Sequence, residues 1–342
     1  MITIDGSQGE GGGQILRTAL TLSAVTGRPF RIQNIRANRP KPGLQPQHVK
    51  SVEAAARVCQ ARTTGNALDS TELTFEPGEI TPGEYRFDIG TAGSVALVLQ
   101  TVFVPLSLAG SSSRVEITGG THVPWAPAFD YLELVWLPFM QRLGYDAELK
   151  LERAGFYPRG GGKVTGHIHP AGDRTGLTLL QRGSLKQLYG ISGYARLSRS
   201  VAERQKRRAE SILRDRRYEA SIRITELAAP SPGTILLLLA VFEFSLCGYF
   251  ALGARGKPAE TVAEEAAQAF LAFTETNGVV DEYLADQLLI PLALVETPSE
   301  FRVPKVTRHL LTNRDVISHF LDTPIRITGE LGQEGTVAIG RP

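Results

Sequence analysis

Cysteine is almost absent. Cys59 and Cys247 lie far apart among 342 residues and show no metal-ligand spacing, so they offer no disulfide framework and fit a reducing compartment, with the cytoplasm as the expectation. An excess of one charge is missing as well: 37 Lys and Arg face 35 Asp and Glu, for a net charge of +2. No global field argues for nucleic acid, and any anion site must come from local clusters of cations. The start, Met1-Ile2-Thr3-Ile4-Asp5-Gly6, has no basic region leading into an apolar stretch and does not read as an export signal. The most apolar segment, Ile235 to Leu252, carries Glu243 at its centre with Ser245, Cys247 and Gly248 beyond it. It reads as two buried strands rather than a membrane span. The standard nucleotide motifs are also lacking. Position 14 is Gln where a Gly-x-Gly-x-x-Gly fingerprint needs glycine, and neither Gly-x-x-x-x-Gly-Lys-Ser/Thr nor Lys-x-Asp-Gly occurs. Hydride transfer, P-loop chemistry and lysine-based adenylyl ligation lose their main support.

What is present is enough apolar residue, 42% of the chain, to bury a full core in one large domain or two smaller ones. A unit of apolar helix, short strand, second helix and further strands recurs three times. The first copy places helices at Gln14 to Thr26 and Gln47 to Cys59 around a strand at Pro29 to Ile35. The second begins at Ala92-Gly93-Ser94, runs as a helix to about Leu108, and continues with a strand at Arg114 to Thr118 and a helix at Ala128 to Leu143. The third predicts a helix from Tyr283 to Val295, a strand at Glu300 to Val303 and a helix near Thr312 to Phe320. Segments such as Glu72-Leu73-Thr74-Phe75 and Ile325-Arg326-Ile327-Thr328 alternate as strands with one packed face do. The expectation is an α/β fold: three repeated helix-strand-helix-sheet modules around a common core, residues 1–181 with 275–342, and an inserted α/β domain at 182–274. The insert reads as a strand at Leu188 to Arg196, a basic helix at Val201 to Arg214, two apolar strands and a helix at Ala259 to Thr274. The basic helix admits RNA contact or a solvated face with Ala202, Ala209, Ile212 and Leu213 inward.

Four segments carry chemistry. Gly9-Glu10-Gly11-Gly12-Gly13-Gln14 precedes an apolar helix bearing Arg17. Glycines and a helix start suit a phosphate, and Glu10 suits a divalent cation beside it; a tight turn is the plainer reading. Arg36-Ala37-Asn38-Arg39-Pro40-Lys41-Pro42-Gly43, followed by Gln47-His48, presents cations on a proline-stiffened loop and reads as a phosphate clamp; solvated charges on a turn are the plainer reading. In Asp281-Glu282-Tyr283-Leu284-Ala285-Asp286-Gln287, Tyr283 can stack on a base, while Asp286 can bind a ribose hydroxyl or a metal, or simply cap a helix. His309, in Thr307-Arg308-His309-Leu310-Leu311-Thr312-Asn313, enters the last helix of the third copy. A neutral imidazole can attack phosphorus and carry a nucleotidyl group as a phosphoramidate; taken alone, one of six histidines beside apolar residues is more often structural.

Together these segments resemble the RNA 3'-terminal phosphate cyclases. The shared pattern adds Ile89-Gly90-x-Ala92-Gly93-Ser94 with Leu99-Gln100-Thr101, Thr118-Gly119-Gly120-Thr121, Gly155-Phe156-Tyr157-Pro158 and Gly160-Gly161-Gly162, and covers most of the chain outside the insert. The resemblance implies ATP as cosubstrate, Mg²⁺ or Mn²⁺, and RNA with a 3'-terminal phosphate as partner; it implies no membrane partner, and it leaves a homodimer open. His309 would accept AMP from ATP and pass it to the RNA phosphate, whose neighbouring 2'-hydroxyl would then close a 2',3'-cyclic phosphate. Glu10 would bind the metal, and Arg17, Arg36 and Arg39 would offset phosphate charge. Pro127 and Tyr283 would sandwich adenine, while Gln100, Asp130, Tyr131, Leu284, Ala285, Asp286 and Gln287 would line the nucleotide site. Lys41, Gln47 and His48 would lie at the substrate phosphate. The other reading is a non-catalytic scaffold for RNA processing or ribosome assembly, since relatives of that kind lack the histidine. Trp125, between Pro124 and Pro127, belongs to none of these roles.

Overall fold

The structure, a computed structural model, describes residues 1–341. The first unit runs β1 (Ile2–Asp5), α1 (Gly13–Thr26), β2 (Phe30–Gln33), α2 (Pro46–Val58), β3 (Arg62–Thr64) and β4 (Leu73–Glu76). Its sheet has the order β1-β2-β4-β3, with β1 parallel to β2 and the remaining pairs antiparallel. The second unit repeats this plan with β5 (Glu84–Asp88), α3 (Val95–Ser107), β6 (Ser113–Gly119), a helical stretch, β7 (Ala147–Arg153) and β8 (Gly162–Ile168), in the order β5-β6-β8-β7. The stretch is not the single helix expected over 128–143. It divides into α4 (Phe129–Tyr131), a π segment (Leu132–Trp136) and α5 (Leu137–Arg142). Pro138 has no N–H for the Leu134 carbonyl, and Leu137 N–H reaches back five residues to Leu132.

The third unit opens with β9 (Thr178–Leu179) and is then interrupted by β10 (Leu185–Ala195), α6 (Arg199–Asp215), β11 (Ser221–Glu226), β12 (Gly233–Phe242), β13 (Leu246–Leu252) and α7 (Ala259–Thr274). It resumes with α8 (Glu282–Gln287), α9 (Leu289–Ala293), β14 (Ser299–Val303), α10 (Arg308–Phe320), β15 (Ile325–Thr328) and β16 (Gly335–Ile339). Its sheet, β15-β16-β14-β9, has the same topology as the other two, whereas the interrupting strands pair only with each other, as β11-β10-β12-β13. The repeat therefore starts one strand earlier than its apolar helices suggest. The insertion falls inside the third copy, between its first strand and first helix, rather than between copies. β9 is two residues long and leaves no periodic signal.

Three further differences have local causes. The helix expected over Tyr283 to Val295 is broken into α8 and α9 because Pro291 cannot donate to the Gln287 carbonyl. Helix α10 begins at Arg308, where Thr307 caps it by accepting the Leu310 N–H at 3.1 Å. His309 thus sits within the first turn rather than ahead of it. β11 was not anticipated, because its exposed Arg223 and Glu226 dilute the apolar signal.

Helices α1 and α3 are apolar on nearly every face and pack against each other, with α2 and α10 against them. They form one core joined by Phe30, Phe75, Phe103 and Phe301. The insert has a core of its own around Phe270 and Phe273. The described residues contain no helix long and apolar enough to cross a membrane, and Ile235 to Leu252 is the β12–β13 hairpin.

The seam between insert and second unit is tight. Phe156 is 3% exposed and lies over the Gly233 backbone, so a β-carbon at 233 would meet the ring at 2.0 Å. Gly233→Ala is expected to destabilise the protein by about 1–3 kcal/mol through overpacking. A denaturant melt showing unchanged stability would contradict this contact.

Candidate active site

The glycine run at the start of α1 works by letting side chains approach. Gly9 and Gly11 have φ of 57° and 61°, where glycine carries little penalty. A β-carbon on Gly9 would sit 2.3 Å from Thr312 Oγ1; without one, Glu10 N–H donates to that hydroxyl at 3.0 Å. This bond ties the N-terminal loop to α10. A β-carbon on Gly13 would meet His48 Nε2 at 2.4 Å and Arg17 Nη1 at 2.9 Å, so glycine there makes room for both cation and imidazole.

Glu10 consequently lies between two cationic groups. Arg39 Nη2 donates to its Oε1, and His309 Nδ1 stands 2.9 Å from Oε2. The Glu10 side chain is 19% exposed and that of His309 50%. Burial raises the Glu10 pKa, but His309 and Arg39 outweigh it and the net shift is downward. His309 moves up, chiefly through the Glu10 contact, against burial and with help from the Asp286 charge. Arg36 lies close enough for burial and the Arg39 charge to lower its own pKa, partly offset by Glu10. The Nε of both Arg36 and Arg39 is buried without a hydrogen-bond partner; buried donors of this kind suit an anion. Arg17 is brought down to about 10 by burial, opposed by Asp286 and Glu10.

His48 is a different kind of histidine. Its Nδ1 accepts the Gln45 N–H at 3.0 Å, which leaves the proton on Nε2. Burial, then Arg17 and Arg36, lower its pKa to about 3. It is a neutral donor at physiological pH. Gln47 turns to the second unit and accepts the Ser94 N–H at 3.2 Å. Lys41 is exposed, and its carbonyl accepts from Arg36 at 3.2 Å.

A cavity of about 680 Å³ opens beside this cluster. Two helices line it at one spacing: Gln14, Arg17, Thr18 and Thr21 from α1, and Leu97, Gln100, Thr101 and Val104 from α3, the i, i+3, i+4, i+7 rows of a helix face. Of the expected residues, Arg17, Gln100, Pro127, Tyr131, Tyr283, Asp286, Gln287 and His309 meet there. Gln100 donates to Gln287 at 2.5 Å, and Asn313 donates to the Asp286 carbonyl at 2.7 Å. Tyr283 is 53% exposed, free to stack. Burial raises Asp286 to about 6 against the pull of His309 and Arg17. The cap of α8 is Asp281, which accepts the Tyr283 and Leu284 N–H groups, so capping is not the role of Asp286. Asp281 also accepts the Tyr131 hydroxyl at 2.7 Å.

Three expected residues lie elsewhere. The Asp130 carboxylate is buried and held by His122 Nε2 at 2.7 Å, away from the cavity lining. Leu284 and Ala285 are wholly buried in the core, outside the cavity lining. Sequence reading missed Gln14, Thr18, Thr21 and Asn313. The signal for the first three was available as a polar row at helical spacing on an otherwise apolar helix. Asn313 is placed by its bonds to Thr18, across 295 residues, and to the Asp286 carbonyl.

A family model described as RNA 3'-terminal phosphate cyclase matches residues 8–327. A protein of that description from Nostoc punctiforme is 44% identical over 334 residues, covering 96% of each chain. Another from Pyrococcus furiosus is 41% identical, covering 100% of this chain and 99% of its own. One from Methylococcus capsulatus is 46% identical, covering 94% and 91%.

The His309 shift can be measured directly. Its imidazole should titrate above the ordinary value of about 6.5, and Glu10→Gln should move the midpoint down, because the group that favours the protonated ring has lost its charge. Imidazole NMR titration of both proteins checks this, and identical midpoints would remove the Glu10–His309 coupling.

Proposed function

Since the chain belongs to the RNA 3'-terminal phosphate cyclase family, we propose that it converts RNA 3'-terminal phosphates to 2',3'-cyclic phosphodiesters by carrying AMP on His309. The observation that carries this reading is the placement of His309 in the first turn of α10, at the cavity and beside Glu10. With Nδ1 turned to Glu10, Nε2 is the nitrogen left to attack.

In the first step the Nε2 lone pair bonds to the α-phosphorus of ATP and the bond to pyrophosphate breaks. The ring becomes an imidazolium whose positive charge lies 2.9 Å from the Glu10 carboxylate, a stabilisation that grows as the bond forms. Arg17, Arg36 and Arg39 offset charge on the triphosphate, and the amide end of α10 favours the same anion. An oxygen of the RNA 3'-phosphate then displaces imidazole from the AMP phosphorus, leaving an RNA(3')pp(5')A end. A phosphate monoester has no good leaving group, and this step supplies one. The 2'-hydroxyl attacks the 3'-phosphorus last, losing its proton as AMP departs.

Adenine lies between Pro127 and Tyr283, with Gln100, Asp286 and Gln287 around the nucleoside. His48 donates Nε2–H to the substrate phosphate, near Gln47 and Lys41. Glu10 would be the single protein ligand of a magnesium or manganese ion, through a carboxylate whose Oε1 accepts from Arg39 and whose Oε2 faces His309 Nδ1 at 2.9 Å. When bound, such an ion neutralises phosphate charge. No group of three or more metal-ligating side chains lies together among the described residues. Residues 182–274 are read as a domain inserted into the catalytic one, supported by their own sheet and core.

Incubation with α-labelled ATP and a divalent metal should give labelled protein that survives denaturation and loses its label in acid. Chase with a 3'-phosphorylated oligonucleotide should move the label to RNA. His309→Ala should abolish labelling, and normal labelling of that variant would sink the mechanism. An unlabelled wild type would favour the scaffold reading. Glu10→Ala should retain the fold and require more metal or label more slowly; an unchanged metal titration would take Glu10 out of that role.

A further inference from the structure

Trp125 is 96% exposed, the most exposed large apolar side chain in the described chain, and its φ of 60° lies in a region that bulky residues rarely adopt. No packing offsets that conformation. Conformations of this kind persist where the surroundings hold them and something uses them, and here the surroundings are rigid. The loop carrying Trp125 is closed at its base by the Phe129 N–H donating to the Thr121 carbonyl at 3.0 Å. Inside that closure His122 is clamped from both sides, by Asp130 at Nε2 and by the Thr121 hydroxyl at Nδ1, each at 2.7 Å. The same hydroxyl accepts the Gly155 N–H at 2.9 Å, and Phe156 stacks on the imidazole with ring centroids 4.9 Å apart. Pro124 restricts the backbone on entry to the tip. Asp130 thus gains a structural task that the nucleotide reading did not give it.

Loop and indole border the cavity that holds His309 and Tyr283. We infer that Trp125 is a stacking platform for a base at the 3' end of the RNA, an inference that rests on the reaction proposed above. Pro127 and Tyr283 already account for one base, that of the nucleotide. The RNA must bring a second base to the same cavity when its phosphate reaches the AMP on His309. An exposed indole on a pre-organised loop gives up little conformational freedom on binding. It accepts any base, since every base presents a π face. That tolerance suits a reaction confined to the terminal phosphate and ribose. Helix α6 is a weaker place for the strand: Arg204 and Arg208 are each paired at 2.6 Å with Glu260 and Glu264 of α7.

The test compares full-length wild type, Trp125→Phe and Trp125→Ala in two single-turnover assays: self-labelling by α-labelled ATP without RNA, and transfer of label to a 3'-phosphorylated oligoribonucleotide. Trp125→Ala should lose roughly tenfold or more in the RNA step beyond any loss in labelling. Trp125→Phe should recover most of it. The penalty should vanish on an oligonucleotide whose 3'-terminal nucleotide is abasic. Equal losses in both steps would make Trp125 an ATP contact, and an equal penalty on the abasic strand would remove stacking; either result overturns the inference. Should wild type fail to label, the proposed reaction falls, yet stacking is still read from fluorescence. Trp136 is buried at 2%, so quenching by the 3'-phosphorylated oligonucleotide that disappears in Trp125→Phe supports the platform, and no quenching in wild type refutes it.

Discussion

The Glu10 carboxylate holds the site together, because it joins two cationic groups that enter from opposite ends of the chain. Arg39 reaches it from the loop after β2 and His309 from the first turn of α10. The His309 contact would not form unless the N-terminal loop lay directly against α10. That approach depends on Gly9, whose missing side chain lets the Glu10 N–H find Thr312. A small backbone allowance therefore fixes where the first unit meets the third, and the carboxylate turns that junction into chemistry.

Around it the protein sets two histidines to different states by different means. His48 is buried beside Arg17 and Arg36, with its Nδ1 engaged by a backbone N–H, and is held neutral. His309 is half-exposed beside an ionised carboxylate, which favours its protonated ring. The first arrangement gives a fixed donor, the second a ring able to bear the positive charge that bonding to phosphorus creates. Asp286 and Arg17, both pushed toward neutrality by burial, complete a cluster of charges held close together. The cavity they face is walled by one face each of α1 and α3, so the helices that supply the core also supply the site.

Much of this was legible in the chain. Apolar periodicity located α1, α2 and α3, and the spaced motifs led to His309, Glu10, Tyr283 and the arginines. Where a proline interrupts a helical hydrogen bond, at Pro138 and Pro291, periodicity overstated the helices. Where a strand is two residues long, as β9 is, it gave nothing. Helix α6 reads as basic along the sequence, whereas in the fold Glu260 and Glu264 of α7 pair with its Arg204 and Arg208.

Sequence alone thus determined which chemical groups are available, which helices are apolar enough to be buried, and which family the motifs resemble. These properties follow from side-chain chemistry and local spacing. Tertiary structure decided that Glu10 meets His309 across 299 positions, that Asp130 belongs to His122 and not to the cavity, and that Trp125 stands unburied at its edge. Those outcomes depend on which surfaces pack together and on how burial and neighbouring charge reset each group, and no local spacing records either.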